Sequence, residues 1–180
     1  MAILPMSHII DALNKAGTPP FFVMFTTENI PSEEEWKSYS AIENVVMAGF
    51  PKGLRDEINN QPIIRSGATA THPALNFKGL PEFLVDMPCF EGCSGSPVLI
   101  CNEGWLVDKR NKSVSVGSRV RLLGIQYAIP SKYVIGKLAT VPTAESTDVP
   151  VVRLYLNLGF IIKSTQLLAF EDLLRAKLNV

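Results

Sequence analysis

The chain has 180 residues, of which 47% are apolar and 19% are charged, so it can bury the core of one ordinary domain. Its 17 basic and 17 acidic side chains give a formal net charge of zero, which excludes the basic surface of a nucleic-acid-binding protein. The sequence contains no run of about 18 apolar residues, so neither a membrane-spanning helix nor a membrane partner is expected.

The cysteines and histidines predict neither disulfides nor a metal. Cys89, Cys93 and Cys101 are too few for a disulfide framework and odd in number. Together with His8 and His72 they lack the paired spacing of zinc ligands, so no metal and no cofactor is expected. Reduced thiols, and an N-terminus without the basic and apolar pattern of a secretory signal, predict a cytoplasmic location.

Two short helices and one strand are predicted at the start of the chain. Ser7 precedes "HIIDALNKA" and Gly17 follows it, which is the usual cap and stop of a helix. "FFVMFT" (21–26) is rich in aromatic residues and predicts a strand. "SEEEWKSY" contains the capping box of a second helix, formed by Ser32 and Glu35, with acidic residues in its first turn.

Short strands dominate the middle of the chain. Each predicted strand is rich in β-branched or aromatic residues and is bounded by Gly, Pro, Asn or Asp. They are "ENVVMAGF" (43–50), "PIIRSG" (62–67), "EFLVD" (82–86), "SPVLIC" (96–101) and "RVRLLGIQYA" (119–128). The polar segment "VDKRNKSVSVG" (107–117) predicts a hairpin excursion between the last two strands.

The C-terminal segment "STQLLAFEDLLRAKL" predicts a helix. Leu167, Phe170, Leu174 and Leu178 are spaced three or four residues apart and form one apolar stripe, which indicates a helix packed on a β-rich body. A helix that binds a partner protein is the alternative. The predicted fold class is therefore mostly β, with peripheral and C-terminal helices.

"FEGCSGSPVLI" (90–100) places Ser94 in a glycine-rich turn before a strand. A serine hydroxyl is a useful nucleophile only when a base takes its proton and donors stabilise the oxyanion. Gly92 permits the positive-φ turn that aims successive N–H groups at one point, so the N–H groups of Gly92 and Ser94 are candidate donors. An ordinary tight turn is the alternative. The strand that follows Pro97 excludes the nucleophile elbow of α/β-hydrolases, which opens onto a helix, and argues against a lipid-directed hydrolase.

"EFLVDMPCFEGCSGSPVLI" resembles the nucleophile segment of trypsin-like serine peptidases of the chymotrypsin clan. The segments "NVVMAGFPKGL", "IIRSGATATHP", "RVRLLGIQYA" and "NLGFIIKSTQLLAFEDLL" resemble, in order, further segments of its bacterial branch. The resemblance covers most of residues 43–178. It implies that residues 43–180 form an antiparallel β-barrel with a closing helix, the second barrel of such a peptidase. Residues 1–42 would be a remnant of the first barrel and a helical connector.

The resemblance also implies roles for individual residues. Ser94 would be the nucleophile of a serine-type endopeptidase, and Gly92 with Ser94 would supply the oxyanion N–H groups. Ile125, Gln126 and Tyr127 would lie in the strand that pairs with the backbone of a peptide or protein substrate.

Two further positions follow from the same resemblance. Cys93 stands where many secreted members carry an aspartate that pairs with a newly cut N-terminus, so activation by that ion pair is not expected. The sequence offers no cation near Cys93, and a small buried thiol is expected there. Pro88 lies near the expected base of the specificity pocket. Because that position carries no charge, the resemblance favours an apolar or small residue at the cleaved position.

The base and the acid of a catalytic triad are missing at the matching positions. In the family both precede the nucleophile, and "MAILP" resembles the strand that directly follows the acid, so a shortened chain without both groups is predicted. His8 and His72 do not match the position of the base, and Asp11 and Asp86 have no histidine to orient.

Two functions remain open at the level of the sequence. The first is the C-terminal half of a serine endopeptidase, inactive as the isolated chain. The second is a non-catalytic module that binds an extended peptide by adding it to a sheet edge. Loss of the N-terminal barrel would expose an apolar face, so self-association is also expected.

Overall fold

The computed structural model describes residues 4–108, 113–135 and 151–178. The helices in these ranges are α1 (Ser7–Lys15), α2 (Glu33–Ser38) and α3 (Ala169–Leu178). The strands are β1 (Asn44–Gly49), β2 (Ile63–Thr69), β3 (Glu82–Asp86), β4 (Pro97–Asp108), β5 (Ser113–Ala128), β6 (Ser131–Ile135), β7 (Val151–Tyr155) and β8 (Leu158–Lys163). Within the same ranges, no helix has the length and the apolar character needed to cross a bilayer.

Six of the strands form one antiparallel sheet in the order β1–β2–β3–β8–β5–β4. β4 also pairs with β1, through Val46 opposite Leu99 and Met47 opposite Val98, so the sheet closes on itself. β6 and β7 form a separate two-stranded sheet. The predicted mostly-β class with additional helices is confirmed.

One hydrophobic core joins the sheet to α2. Alternate residues of β1 are buried, as expected for a strand with one face in a core, and β3 is buried along most of its length. Trp36 of α2 makes edge contacts with the rings of Tyr39 and Phe83. The core comprises Trp36, Tyr39, Val45, Met47, Phe83, Val85, Met87, Cys89, Val98, Ile100, Leu123 and Ile161.

The capping box predicted for α2 is confirmed. Ser32 Oγ accepts a hydrogen bond from Glu35 N–H at 3.2 Å, and Glu35 accepts one from Ser32 N–H at 3.1 Å. Glu35 also pairs with Arg121 of β5 at 2.8 Å, so one carboxylate caps the helix and ties it to the sheet. In α1 the cap residue is Met6 rather than Ser7, and no side chain caps that helix.

The predicted strand at 21–26 is wrong. This segment forms no strand, and the side chains of Phe21 and Val23 are 94% and 76% exposed. Each strand of the closed sheet already has two neighbours where the sheet closes, so free edges remain where strands extend past their neighbours, as in the distal arms of β4 and β5, and the segment pairs with neither arm.

The predicted strands of the middle region are confirmed, and two of them are longer than predicted. β4 continues to Asp108 and β5 begins at Ser113, so both arms of the predicted hairpin at 107–117 are paired strand. Residues 109–112 of that hairpin and residues 1–3 of the "MAILP" segment lie outside the described ranges. β6 and β7 are not predicted by the sequence patterns.

The C-terminal helix is shorter than predicted, because residues 164–167 form a 3-10 turn and α3 begins at Ala169. Leu167, Phe170 and Leu174 of the predicted stripe share a pocket with Leu122 of β5. The helix therefore lies against the sheet. The side chain of Leu178 is outside the described part of the chain.

Candidate active site around Ser94

Ser94 lies in the loop between β3 and β4, residues 87–96, which we call the serine loop. Two glycines shape this loop. Gly92 has a φ of +88° and Gly95 a φ of +94°, a region that residues with a Cβ atom rarely adopt. Cys93 N–H donates to Phe90 O at 3.2 Å, which closes a turn just before the serine. The side chain of Ser94 is exposed at the tip of this structure.

The loop is held against the turn that follows β1. A Cβ atom on Gly92 would lie 2.8 Å from Lys52 N and 3.0 Å from Phe50 O, so only glycine fits at this contact. Lys52 N–H donates to Glu91 O at 2.8 Å across the same contact. The segment "GFPKG" (49–53) therefore packs against the serine loop and supports it.

Two N–H groups of the loop are left without an acceptor. Among the described residues, neither Gly92 N–H nor Ser94 N–H donates to any backbone or side-chain oxygen. The intervening N–H of Cys93 does donate, so the unpaired groups alternate with a paired one. Two unpaired N–H groups beside one hydroxyl are the donors that a developing oxyanion requires.

β5 runs along the other side of the loop. Gly95 N–H donates to Gln126 O at 2.8 Å, and Gln126 N–H donates to Ser96 O at 2.9 Å. Ser94 Oγ donates to Tyr127 O at 3.2 Å. Within the described ranges, the serine hydroxyl is thus held by a carbonyl oxygen and not by a base.

The three predicted substrate-binding residues lie in β5 beside Ser94, but their backbones are not equally available. Ile125 pairs with Pro97 on one side and with Ile162 on the other. Gln126 is 1% exposed, and both its N–H and its C=O are used by the serine loop. Of the three, Tyr127 is the residue that presents exposed surface beside the hydroxyl.

Tyr127 forms a β-bulge. Gln126 pairs with Ile161 and Ala128 pairs with Phe160, so Tyr127 is an extra residue in β5 without a counterpart in β8. Its hydroxyl donates to the carboxylate of Glu82. Burial, together with the hydrogen bond and the negative charge of Glu82, raises the pKa of Tyr127 to about 12.

The expectation that no cation lies near Cys93 is wrong. Arg65 Nη2 of β2 lies 3.0 Å from Cys93 Sγ, and Arg65 Nη1 donates to Pro88 O. The guanidinium therefore also places a positive charge beside Pro88, where none was expected. Arg65 and Cys93 are 28 residues apart in the chain and meet only because β2 pairs with β3, so no local pattern could reveal the contact.

Cys89 packs beneath the serine loop. Its side chain is 1% exposed, and a Cβ atom on Gly159 would lie 2.7 Å from its sulphur, so β8 makes room for it. Burial raises the pKa of the Cys89 thiol to about 11, and the neighbouring Arg65 partly opposes this rise. The thiol is therefore neutral near pH 7 and acts as a packing group.

His72 lies far from Ser94. The serine loop contacts the turn after β1, which is at the Ile63 end of β2. His72 follows Thr69 at the opposite end, and a strand of this length spans about 20 Å. His72 Nδ1 accepts a hydrogen bond from Ala74 N–H at 3.3 Å, so it stabilises its own turn.

Among the described residues, no hydrogen bond joins the remaining candidate acids and bases to Ser94. His8 and Asp11 are exposed on α1, a helix that buries none of its residues, and Asp86 is exposed at the end of β3. Over the described ranges, no three His, Cys, Asp or Glu side chains converge in a way that could hold a metal ion.

The chain matches no family model, no curated protein and no solved structure. A proposal for its function therefore depends on the geometry of the serine loop and on the residues that contact it.

Proposed function

We propose that this chain carries the nucleophile and the oxyanion site of a trypsin-like serine endopeptidase. Ser94 is the nucleophile, and the N–H groups of Gly92 and Ser94 are the oxyanion donors. The observation that carries the proposal is an exposed hydroxyl on a positive-φ glycine turn, beside two N–H groups that have no acceptor among the described residues.

The topology supports the same proposal. The serine loop joins two strands of a six-stranded antiparallel sheet that closes on itself, and β5 runs beside the hydroxyl. We infer that this sheet is the C-terminal barrel of a trypsin-like peptidase. The peptide substrate would lie along the bulged end of β5, beside Tyr127.

In the proposed reaction, Ser94 Oγ attacks the carbonyl carbon of a peptide bond. A C–O bond forms, the carbonyl oxygen gains the electron pair, and the two N–H groups stabilise its charge. The Oγ proton passes to a base and then to the leaving amine, and water later hydrolyses the ester. Because the described residues place only the Tyr127 carbonyl at the hydroxyl, we expect slow acylation when no other segment or chain supplies the base.

A fluorophosphonate probe followed by intact-mass measurement tests the proposal. We expect slow labelling at one site, abolished in Ser94→Ala and unchanged in Ser96→Ala, which removes a buried neighbouring hydroxyl. Absence of labelling at Ser94 in the folded chain, or equal labelling after denaturation, would overturn the proposal. Fast stoichiometric labelling would show that a base does reach Ser94.

A second candidate is a peptide-binding module that performs no chemistry. The hydrogen bond from Ser94 Oγ to Tyr127 O favours it, because a carbonyl oxygen cannot accept the proton permanently. The two candidates differ in one measurement. A module binds extended peptides equally well in the parent chain and in the Ser94→Ala variant and shows no acylation, whereas a peptidase nucleophile reacts with the probe.

A further inference from the structure

A pocket of about 410 Å³ opens beside Tyr127, on the side of β5 near α3. Leu80, Ile162 and Phe170 contribute apolar walls to this pocket. Glu82 and Tyr127 contribute its acidic and hydroxyl groups. We call it the Glu82 pocket. Apolar walls combined with one acidic group suit a ligand that has both an apolar part and a polar or charged part.

Glu82 is a buried carboxylate that has no positive partner among the described residues. Glu82 is only 7% exposed, and one of its carboxylate oxygens, Oε2, accepts a hydrogen bond from the Tyr127 hydroxyl. Among the described residues, the other oxygen accepts no hydrogen bond and no lysine, arginine or histidine pairs with the carboxylate. A buried charge without a counter-ion is costly, and such a group retained at a pocket wall indicates a ligand that supplies the opposite charge.

The nearest cation along β8 is directed elsewhere. Glu82 pairs with Ile162, and the next residue, Lys163, points to the opposite face of the strand. Its ammonium donates to Ala74 O and to Asn76 Oδ1, both at 2.9 Å. Lys163 therefore donates to the 74–76 loop and does not balance the charge of Glu82.

Tyr127 connects this pocket to the reactive serine. Its carbonyl oxygen accepts the Ser94 hydroxyl, and its side-chain hydroxyl donates to Glu82. The phenol donates a hydrogen bond to the carboxylate but carries no positive charge in any protonation state, so it does not neutralise Glu82. A peptide extended along the bulged end of β5 would thus have one of its side chains, or its amino terminus, within reach of the pocket.

We propose that the Glu82 pocket binds a cationic group of the peptide that is held at Ser94. The apolar walls fit the methylene stem of lysine or arginine, and the carboxylate forms a charge-assisted hydrogen bond with the head group. A peptide α-amine offers the same charge and is the alternative source. The inference rests on the proposed function for the position of the peptide, although its test does not require catalysis.

The test measures peptide affinity in the Ser94→Ala chain, in which no acylation occurs. Fluorescent alanine peptides, acetylated and amidated, carry one lysine at successive positions, and a matched set carries norleucine, which has the stem without the charge. A third set has free α-amines. We expect one cationic set to bind at least about tenfold more tightly than its neutral match in fluorescence anisotropy.

Glu82→Gln should bring that ratio close to one and leave the affinity of the neutral peptides unchanged, since glutamine still accepts from Tyr127. Glu171→Gln, which removes an exposed carboxylate on α3 already paired with Arg175, should preserve the ratio. A ratio near one in the parent chain, for both cation sources, would overturn the inference even if Glu82→Gln fails to fold. Equal loss in both variants would overturn it as well.

The two proposals can fail separately. A lysine preference that depends on Glu82, without any probe labelling at Ser94, would overturn the peptidase assignment and leave the cation site. Labelling at Ser94 without a preference for cationic peptides would overturn the cation site alone.

Discussion

The guanidinium of Arg65 lies 3.0 Å from the sulphur of Cys93, the residue immediately before the candidate nucleophile. The same group donates to Pro88 O, so one side chain of β2 ties both ends of the segment 88–93. Hydrogen bonds from an ionised donor are stronger than neutral ones. We infer that Arg65 holds the loop in the shape that leaves its two N–H groups unpaired.

Replacing Arg65 should loosen this loop. Arg65→Met keeps a stem for packing and removes the donors, and we expect a loss of about 1–3 kcal/mol of stability. Cys93, which is 0% exposed, should then react with a maleimide at least several-fold faster in a Cys101→Ser background. Arg175→Met, which breaks an exposed ion pair on α3, is the control. An unchanged maleimide rate in Arg65→Met would contradict the assigned role.

Gly92→Ala should damage the site more than an equivalent change elsewhere. The added Cβ would meet Lys52 N at 2.8 Å in a residue that already has a φ of +88°. Gly79→Ala is the matched control, because Gly79 has a φ of +79° and nothing within 4 Å of an added Cβ. We expect about 1 kcal/mol of destabilisation in the control and more in Gly92→Ala, measured by urea unfolding.

Gly92→Ala should also slow the labelling of Ser94, since a shifted turn no longer aims both N–H groups at the oxyanion. Gly79→Ala should label at the parent rate. Equal stability and equal labelling in the two variants would show that the contact with Lys52 has no role.

Stability should fall at alkaline pH because of Cys89. Its thiol has an ordinary pKa of 9.0 and a folded pKa of about 11, so above pH 9 the unfolded chain releases this proton first. The free energy of unfolding then decreases by up to about 1.4 kcal/mol per pH unit. Below pH 9 both states keep the proton and this contribution is constant.

Cys89→Ala should flatten the decrease between about pH 9 and 10 in urea-unfolding measurements, although the cavity lowers stability at every pH. Burial raises the pKa of Tyr39 to about 12, so Tyr39→Phe should alter the pH dependence only above pH 10. If the free energy of unfolding decreases just as steeply with pH in Cys89→Ala, another group causes the loss of stability.

The exposed apolar segment at 21–25 should promote self-association. Phe21 is 94% exposed and Val23 is 76% exposed, and a net charge of zero gives little repulsion between copies. Phe21→Asp combined with Val23→Asp should lower the apparent mass in light scattering at high concentration. The thermal midpoint should not change, because neither side chain is buried. A monomeric parent chain would contradict this prediction.

Most strands of the closed sheet and the cap of α2 were predictable because their signals are local, whereas α1 is capped by Met6 and not by the predicted Ser7. Apolar alternation marks β1, the run "EFLVD" coincides with β3, and Ser32 with Glu35 specifies the start of α2 within four residues of chain. The segment 21–26 carries the same composition as a strand but has no partner. A strand depends on a neighbour that composition does not report.

The serine turn was predictable for the same reason, whereas its supporting groups were not. Gly92 and Ser94 are close together in one motif, and their backbone geometry follows from the glycine. Arg65 reaches the loop because β2 pairs with β3, and Glu82 of β3 reaches Tyr127 of β5 across β8, which lies between the two strands. In the sequence, Glu82 is an ordinary acidic residue at the start of an apolar run, and its lack of a cation among the described residues becomes visible only in three dimensions.

The bulge at Tyr127 makes β5 one residue longer at that point than its pairing with β8 requires. If Tyr127 were deleted, Gln126 and Ala128 could pair with Ile161 and Phe160 as consecutive residues of a regular ladder. The deletion would remove both the carbonyl oxygen that accepts the Ser94 hydroxyl and the phenol that donates to Glu82. The strand should therefore tolerate the loss of this residue, although the contacts that the bulge presents on both sides of β5 disappear together.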